Sequence, residues 1–346
     1  DGTQPLCQHR ARIRAFRIDA RHGTGPTFAR HVSHRMYRGE AFVFQVDSHV
    51  KFVQGWDVDI LSQWRAARNE NAVLTTYMSD VQGAIDNETH RSRKTTRPIL
   101  CNSVFDGDGV VNYLAHDQQP EELPVPQLRN QPMLQPFWAA GMSFSRGHFA
   151  VRVPYDCCLP MVFQGEEISM GVRGWTHGYD FYAPSRSVVF HEYAGNSARR
   201  KGHKVPKFWE NEAKDEKEEQ RRLDTSLLRL VTLIGMVDKE MLPDGVDSPA
   251  AYTPGGLLQQ HDRYGVGSVR PAQLFYDFFM VDVRGQKTVK LCGFVRSGEM
   301  HRLFQPHVRA DGRGINVSMV SVSRVQHEIL RTRTKSILGP LVKMRT

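Results

Sequence analysis

Phe42-Val-Phe-Gln-Val-Asp47-Ser48-His49-Val-Lys-Phe52 is the stretch whose reading decides the fold. An apolar run ends abruptly in an acid and an imidazole two positions apart. Along an extended chain, residues i and i+2 share a face, so Asp47 and His49 can converge on a divalent cation while Ser48 points away. Taken alone, the triplet has an ordinary alternative: a strand-end turn in which Asp47 and Ser48 cap the helix near Gly55-Trp56-Asp57.

Working outward, the flanking patterns predict an α/β protein. Arg12–Asp19, with Ile13, Phe16 and Ile18 between arginines, reads as a short strand. Pro26 suits the first turn of a helix running to about Arg38, where Gly39 stops it. After strand 42–47 comes a helix over Asp57–Arg68 with Ile60, Leu61, Trp64 and Ala67 on one face, then an apolar strand, Ala72–Met78. This alternation predicts right-handed crossovers and a mostly parallel sheet, with a ligand site at the carboxyl ends of its strands, where Asp47 falls.

Further along, 79–97 is polar, and 117–136 is rich in Pro and Gln and reads as a loop over the site. Phe137–Phe144 reads as a buried strand, Gln164–Gly178 as a helix, and Val188–His191 as a strand. The mixed-charge run Lys207–Arg222 continues into an amphipathic helix over Leu223–Met236. Ser268–Ser323 reads as β-rich (Thr288–Val295, Ile315–Val322), with turns at Arg284-Gly285 and Asp311-Gly-Arg-Gly314. The expected division is a catalytic domain over 1–205 and a helical and β-rich extension over 206–346.

Composition is that of an ordinary globular chain of 346 residues, 40% hydrophobic and 24% charged, with a net charge of +9. The charge is uneven: residues 1–38 carry eight arginines against Asp1 and Asp19, and Arg324, Arg331, Arg333, Lys335, Lys343 and Arg345 crowd the end. Nucleic acid, an acidic membrane or a phosphorylated small molecule each fit that balance. No stacking aromatics interleave the arginines and no nucleic-acid motif is present, so no nucleic-acid partner is expected. No apolar run is long enough for a membrane span. Five cysteines (Cys7, Cys101, Cys157, Cys158, Cys292) show no metal-ligand spacing, and their odd number argues against a disulfide framework while leaving one or two bridges open.

Three pieces combine: Asp47-Ser-His49, Gly165-Glu166-Glu167 at a helix start, and His191 at a strand end. An acid with two imidazoles suits manganese or a similar divalent cation. Separately, His191 could be a core histidine, and Glu166 and Glu167 could be first-turn charge complementing the helix dipole. A helix turns successive residues by about 100°, so only one of the two glutamates can face a reacting centre, and Glu167 is the favoured one.

The residues carry a resemblance. Phe44-Gln-Val-Asp-Ser-His-Val-Lys-Phe-Val-Gln-Gly-Trp-Asp57, Phe163-Gln-Gly-Glu-Glu-Ile-Ser-Met170, His191-Glu-Tyr193, Leu291-Cys-Gly293 and Asp311-Gly-Arg-Gly-Ile315 resemble the GlcNAc-transferase family of GT-A glycosyltransferases. Members add GlcNAc to hydroxyproline of a ubiquitin-ligase adaptor or to Ser/Thr of mucin-like proteins, and the plan is also similar to the polypeptide GalNAc-transferases. The resemblance implies a Rossmann-type nucleotide-sugar domain, UDP-GlcNAc as donor, a protein or peptide hydroxyl as acceptor, retention of configuration, and Mn2+ or else Mg2+ held by Asp47, His49 and His191. It further implies that Arg30 and Asp47 face the donor, that Phe137-Trp138-Ala-Ala-Gly141 is a strand lining the sugar pocket, and that Glu166 or Glu167 lies near the acceptor. The family places a full strand–helix–strand unit before the metal motif. Only 46 residues precede Asp47 here, so the uridine-binding half is expected to be truncated and Ile13–Ile18 to lie at or near a sheet edge beside Phe42–Val46. Cytoplasm and Golgi lumen both remain open as compartments. The readings set against an active transferase are a basic nucleic-acid- or protein-binding module and a catalytically silent relative.

Overall fold

The computed structural model describes residues 5–107, 111–193, 208, 215–237 and 257–342. Its strands are β1 Phe42–Val46, β2 Val50–Phe52, β3 Ala72–Thr75, β4 Arg97–Pro98, β5 Ser103–Asp106, β6 Tyr113–His116, β7 Glu121–Glu122, β8 Met133–Leu134, β9 Met142–Arg146, β10 Asp180–Ala183 and β11 Val189–His191. Its α-helices are α1 Pro26–Arg35, α2 Trp56–Ala66, α3 His148–Arg152, α4 Glu166–Thr176, α5 Glu216–Leu233, α6 His261–Tyr264, α7 Ala272–Phe278, α8 Cys292–Arg296, α9 Glu299–Phe304 and α10 Val322–Val342.

The class is mixed α/β. A five-stranded sheet runs in the order β1-β9-β3-β10-β8. β1, β3 and β10 share one direction, as an alternating strand–helix order requires, but only β10 and β3 are parallel neighbours. β9 enters antiparallel between β1 and β3, and β8 pairs antiparallel with β10. The expected direction of the first strands therefore holds, and their expected adjacency does not. Periodicity reports which residues are buried, not which strand inserts between two others. β3 and β10 are buried throughout, whereas every residue of the edge strand β1 is half-buried.

Several expectations change. Ile13–Ile18 forms no strand: a 3-10 helix covers Pro5–Arg12, and Ile13, Phe16 and Ile18 are exposed. With Arg12, Arg14, Arg17 and Asp19 among its apolar residues and no strand beside it, the segment has no face to bury. The outer edge of β1 instead borders a cleft of about 400 Å³ shared with α1. The Pro- and Gln-rich stretch is not all loop, since it carries β7 and β8. Residues 268–323 are helical rather than β-rich, with α7, α8 and α9 and only isolated bridges such as Asp282↔Lys287 and Val308↔Ile315. The apolar runs there are short, and periodicity cannot distinguish a helix from a strand in so short a stretch. The charged block from Lys207 to Lys214 lies outside the described residues save Phe208, as do Lys343 and Arg345.

Two devices tie the last third to the sheet. Asp180 of β10 forms a buried pair with Arg270 (2.9 Å), and its Oδ2 accepts the Ile315 N–H (2.9 Å). Asn69 Oδ1 accepts the Gly314 N–H (3.0 Å), so the Asp311-Gly-Arg-Gly turn is a clasp. Cys101 and Cys292 form a disulfide across 191 residues; chain-entropy arguments give such a closure about 5 kcal/mol.

Candidate active site

Asp47 sits one residue past β1, and its N–H donates to Gly141 O (3.0 Å). A methyl group on Gly141 would meet Asp47 Oδ2 at 3.0 Å, so only glycine leaves the carboxylate its place. Asp47 Oδ1 accepts from Arg30 Nη2 (3.0 Å), and Oδ2 lies 3.7 Å from His191 Nε2. β2 and β11 pair antiparallel with His191 opposite Val50, and His191 N–H donates to Ser79 O (3.0 Å). Backbone pairing thus sets His191 beside the strand end.

His49 stands a step outside. Its ring meets the His191 ring edge-on at 5.6 Å, but its nitrogens lie 3.4 and 3.3 Å from Ser48 Oγ and the residue is exposed. Asp47, His49 and His191 therefore share one corner without all closing to within 4.8 Å of one another; among the described residues Asp156, Cys157 and Cys158 do so.

Every residue of α4 except Glu167 is buried. The helix starts from Gly165 in a left-handed conformation (φ 86°), with the Tyr113 ring against its Cα. Glu166, 3% exposed, accepts from Arg30 Nη1 at 2.6 and 2.9 Å. Arg30 thus bridges Glu166 and Asp47. Burial works against its charge, but Tyr155, Glu166 and Asp47 hold its pKa above the ordinary value. Burial likewise raises the Glu166 carboxyl; Arg30 opposes the rise and Glu167 adds to it.

Glu167 faces the open side. Its Oε1 accepts the Ala140 N–H (2.7 Å), its Oε2 accepts from the Tyr77 hydroxyl, and His116 Nε2 is 3.9 Å away. Tyr77 is pushed up by burial and then by Glu167. The Tyr193 hydroxyl is raised to about 12 by burial and then by Asp47, Asp80 and Glu167. Asp47 and Glu166 on the Arg30 guanidinium, with Glu167 next along α4, leave an excess of carboxylate charge at the ends of β1 and β3, a setting that favours a cation.

Phe137–Gly141 does not form a strand. It is a buried connection into β9 whose backbone faces the site, while Trp138 turns inward, 1% exposed, with Nε1 donating to Ser143 Oγ (2.9 Å). Glu167, Gly141 and Asp47 are thus brought together, and the Trp138 ring is not with them. Tyr77, His116, Tyr155 and Gln45 escaped the sequence reading. Gln45 Nε2 donates to Ala140 O (2.7 Å) and to the Tyr155 hydroxyl (3.0 Å). Tyr77 lay within an expected strand, on the same carboxyl side as Asp47, and that was the available signal.

The profile of the glycosyltransferase (GlcNAc) family matches residues 3–284, most of the 346-residue chain, and the chain belongs to that family. Among solved structures, it is similar to a crystal structure of GalNAc-T7 with UDP, GalNAc and Mn2+, at 14% identity and a TM-score of 0.41 over 76% of this chain. The match spans 44% of that protein's chain, less than half its length. No curated protein sequence matches significantly.

Proposed function

We propose that the chain is a GT-A-type transferase moving GlcNAc from UDP-GlcNAc to a protein hydroxyl (hydroxyproline, Ser or Thr), with retention, and that Asp47, His191 and His49 hold its divalent cation. The observation that carries this reading is the Arg30 bridge between Asp47 and Glu166, which sets cation-binding and anion-binding groups side by side.

The residues fit a metal. Asp47 Oδ2 and His191 Nε2, 3.7 Å apart, are within the ~4.2 Å that two metal–ligand bonds of about 2.1 Å span. The cradle at Gly141 keeps the carboxylate there, and His49 joins by turning from Ser48. Bound there, the cation would neutralise charge on the departing diphosphate. Arg30, reaching the same carboxylate, supplies charge-assisted hydrogen bonds to phosphate oxygens. Glu166 is committed to Arg30 and fixes its direction. Glu167, gripped by Ala140 N–H and Tyr77, is the carboxylate left to orient an acceptor hydroxyl or steady an oxocarbenium-like centre.

The test is UDP release with Mn2+ from UDP-GlcNAc, UDP-GalNAc and UDP-Glc, with and without peptides containing hydroxyproline, Ser or Thr. The reading expects preference for UDP-GlcNAc and stimulation by a hydroxyl peptide. Equal rates on all three donors, or none, would overturn it.

A further inference from the structure

The segment Asp156-Cys-Cys-Leu159, which follows Tyr155, has no part in the site described above, yet with Tyr155 it supports the helix that carries Arg30. The Sγ atoms of Cys157 and Cys158 are 2.9 Å apart and both cysteines are half-buried. They open onto a cavity of about 340 Å³, together with His22, Thr24, Phe28 and Pro160. Asp156 cannot join them as a metal ligand: it is 2% exposed, its Oδ2 accepts from Arg229 Nε (2.7 Å), and its Oδ1 accepts the Cys158 N–H (2.9 Å). What remains for chemistry is a pair of neighbouring thiols on a tethered backbone.

That backbone holds α1. Tyr155 O accepts from His31 Nδ1 (2.7 Å) and Leu159 O from the Thr27 hydroxyl (2.7 Å), both across buried contacts. Met161 N–H donates to Thr24 O (2.7 Å), just before the helix. Arg30 lies between Thr27 and His31 in the chain, so the seating of this one segment sets where the guanidinium stands.

We propose that Cys157 and Cys158 are a modification site: a dithiol that a peroxide closes reversibly to a disulfide between neighbours, and that loosens α1 when it closes. Cys157 Sγ attacks one peroxide oxygen, the O–O bond breaks, and water departs as a sulfenic acid forms. Cys158 Sγ displaces the sulfenic hydroxyl, forming the S–S bond and releasing a second water. The two thiols give up two electrons and two protons, and the peroxide accepts both. Burial, the hydrogen bond with Cys157 and the nearby Asp156 carboxylate push the Cys158 thiol up to about 12. Neighbouring Cα atoms are only about 3.8 Å apart, short of the roughly 4.4–6.8 Å usual for disulfides. The closed ring must therefore distort the peptide whose N–H binds Asp156, and a strained bridge is readily reduced again.

The experiment uses the Cys7→Ser chain with Cys101–Cys292 intact, treated with hydrogen peroxide and followed by peptide mass and amide hydrogen exchange. The 157–158 peptide should lose two hydrogens, regain them with dithiothreitol, and show several-fold faster exchange over Pro26–Arg35 while closed. Phenylarsine oxide, which needs both sulfurs, should bind one per chain, and binding should vanish with Cys157→Ser or Cys158→Ser. Sulfinic or sulfonic acids in place of the disulfide, or bridges between chains, would overturn the site. Unchanged exchange in α1, or the same change in the peroxide-treated Cys157→Ser chain, would overturn the coupling. None of these readouts depends on sugar transfer.

Discussion

Arg30 Nη1 lies 2.6 Å from Glu166 Oε1 while Nη2 of the same guanidinium reaches Asp47 Oδ1 at 3.0 Å. A carboxylate at the end of β1 and another at the start of α4 are thereby locked to one cation. Glu166 is 3% exposed, so its charge is tolerable only with that partner. Arg30→Ala should cost about 3–5 kcal/mol, because it strands a buried carboxylate. Adding Glu166→Gln to Arg30→Ala should recover more than half of the loss. Urea midpoints of the two single variants and the double variant measure this coupling, and strictly additive effects would contradict it.

The two adjacent glutamates should separate by experiment. Glu167→Gln is expected to lower turnover by about a hundredfold or more, the scale seen when one preorganised electrostatic group is removed, with little change in melting temperature. Glu166→Gln should show its larger effect on stability. Steady-state kinetics beside thermal unfolding of both variants checks the division; equal, mild kinetic losses would remove both from the chemistry.

Gly141→Ala places a methyl 3.0 Å from Asp47 Oδ2. Displacing a ligand by a few tenths of an ångström should weaken Mn2+ binding by about 10- to 100-fold, the range found when the support of a metal ligand is altered. Calorimetric titration with Mn2+ reads it directly.

Acid should destabilise the fold through two histidines. Burial first, and then nearby positive charge from Arg173, His31 and Arg30 for His34 and from Arg97 for His301, lowers both to about 4; the Gln45 hydrogen bond to His34 only partly opposes this. A depressed folded-state value means that the unfolded chain binds the extra protons. The contribution is therefore full above about pH 6.5 and is lost as pH falls towards 4, on the order of 3 kcal/mol for each group. Unfolding free energy measured across that window should drop steeply, and His301→Asn should flatten the slope by about one proton.

How much of this was legible in sequence depends on the kind of signal. α1, α2, α4, β1, β3 and β11 were readable from periodicity and from Pro26 and Gly39. That Asp47 and His191 meet, with Oδ2 and Nε2 3.7 Å apart, was legible because both stand at strand ends, which present side chains in a fixed register. The antiparallel entry of β9 was not readable, since pairing partners leave no local trace. The β-rich reading of residues 268–323 fails because its apolar runs, Thr288–Val295 and Ile315–Val322, are too short for periodicity to tell strand from helix; they hold most of α8 and a 3-10 turn at Val317–Met319. Trp138, which the resemblance places in the strand lining the sugar pocket, turns inward instead; an apolar run does not say which side of the backbone is open. His116 was missed because its role depends on a loop that returns to Glu167.

Manganese binding, read as free Mn2+ by electron paramagnetic resonance, bears most directly on the proposed metal site. The chain should take up one ion, bind it more tightly with UDP-GlcNAc, lose it in Asp47→Ala and His191→Ala, and hold it more weakly in His49→Ala. Each variant should keep the circular dichroism of the parent. Uptake unchanged by Asp47→Ala and His191→Ala, or no uptake by the folded chain with UDP-GlcNAc present, would contradict the assignment.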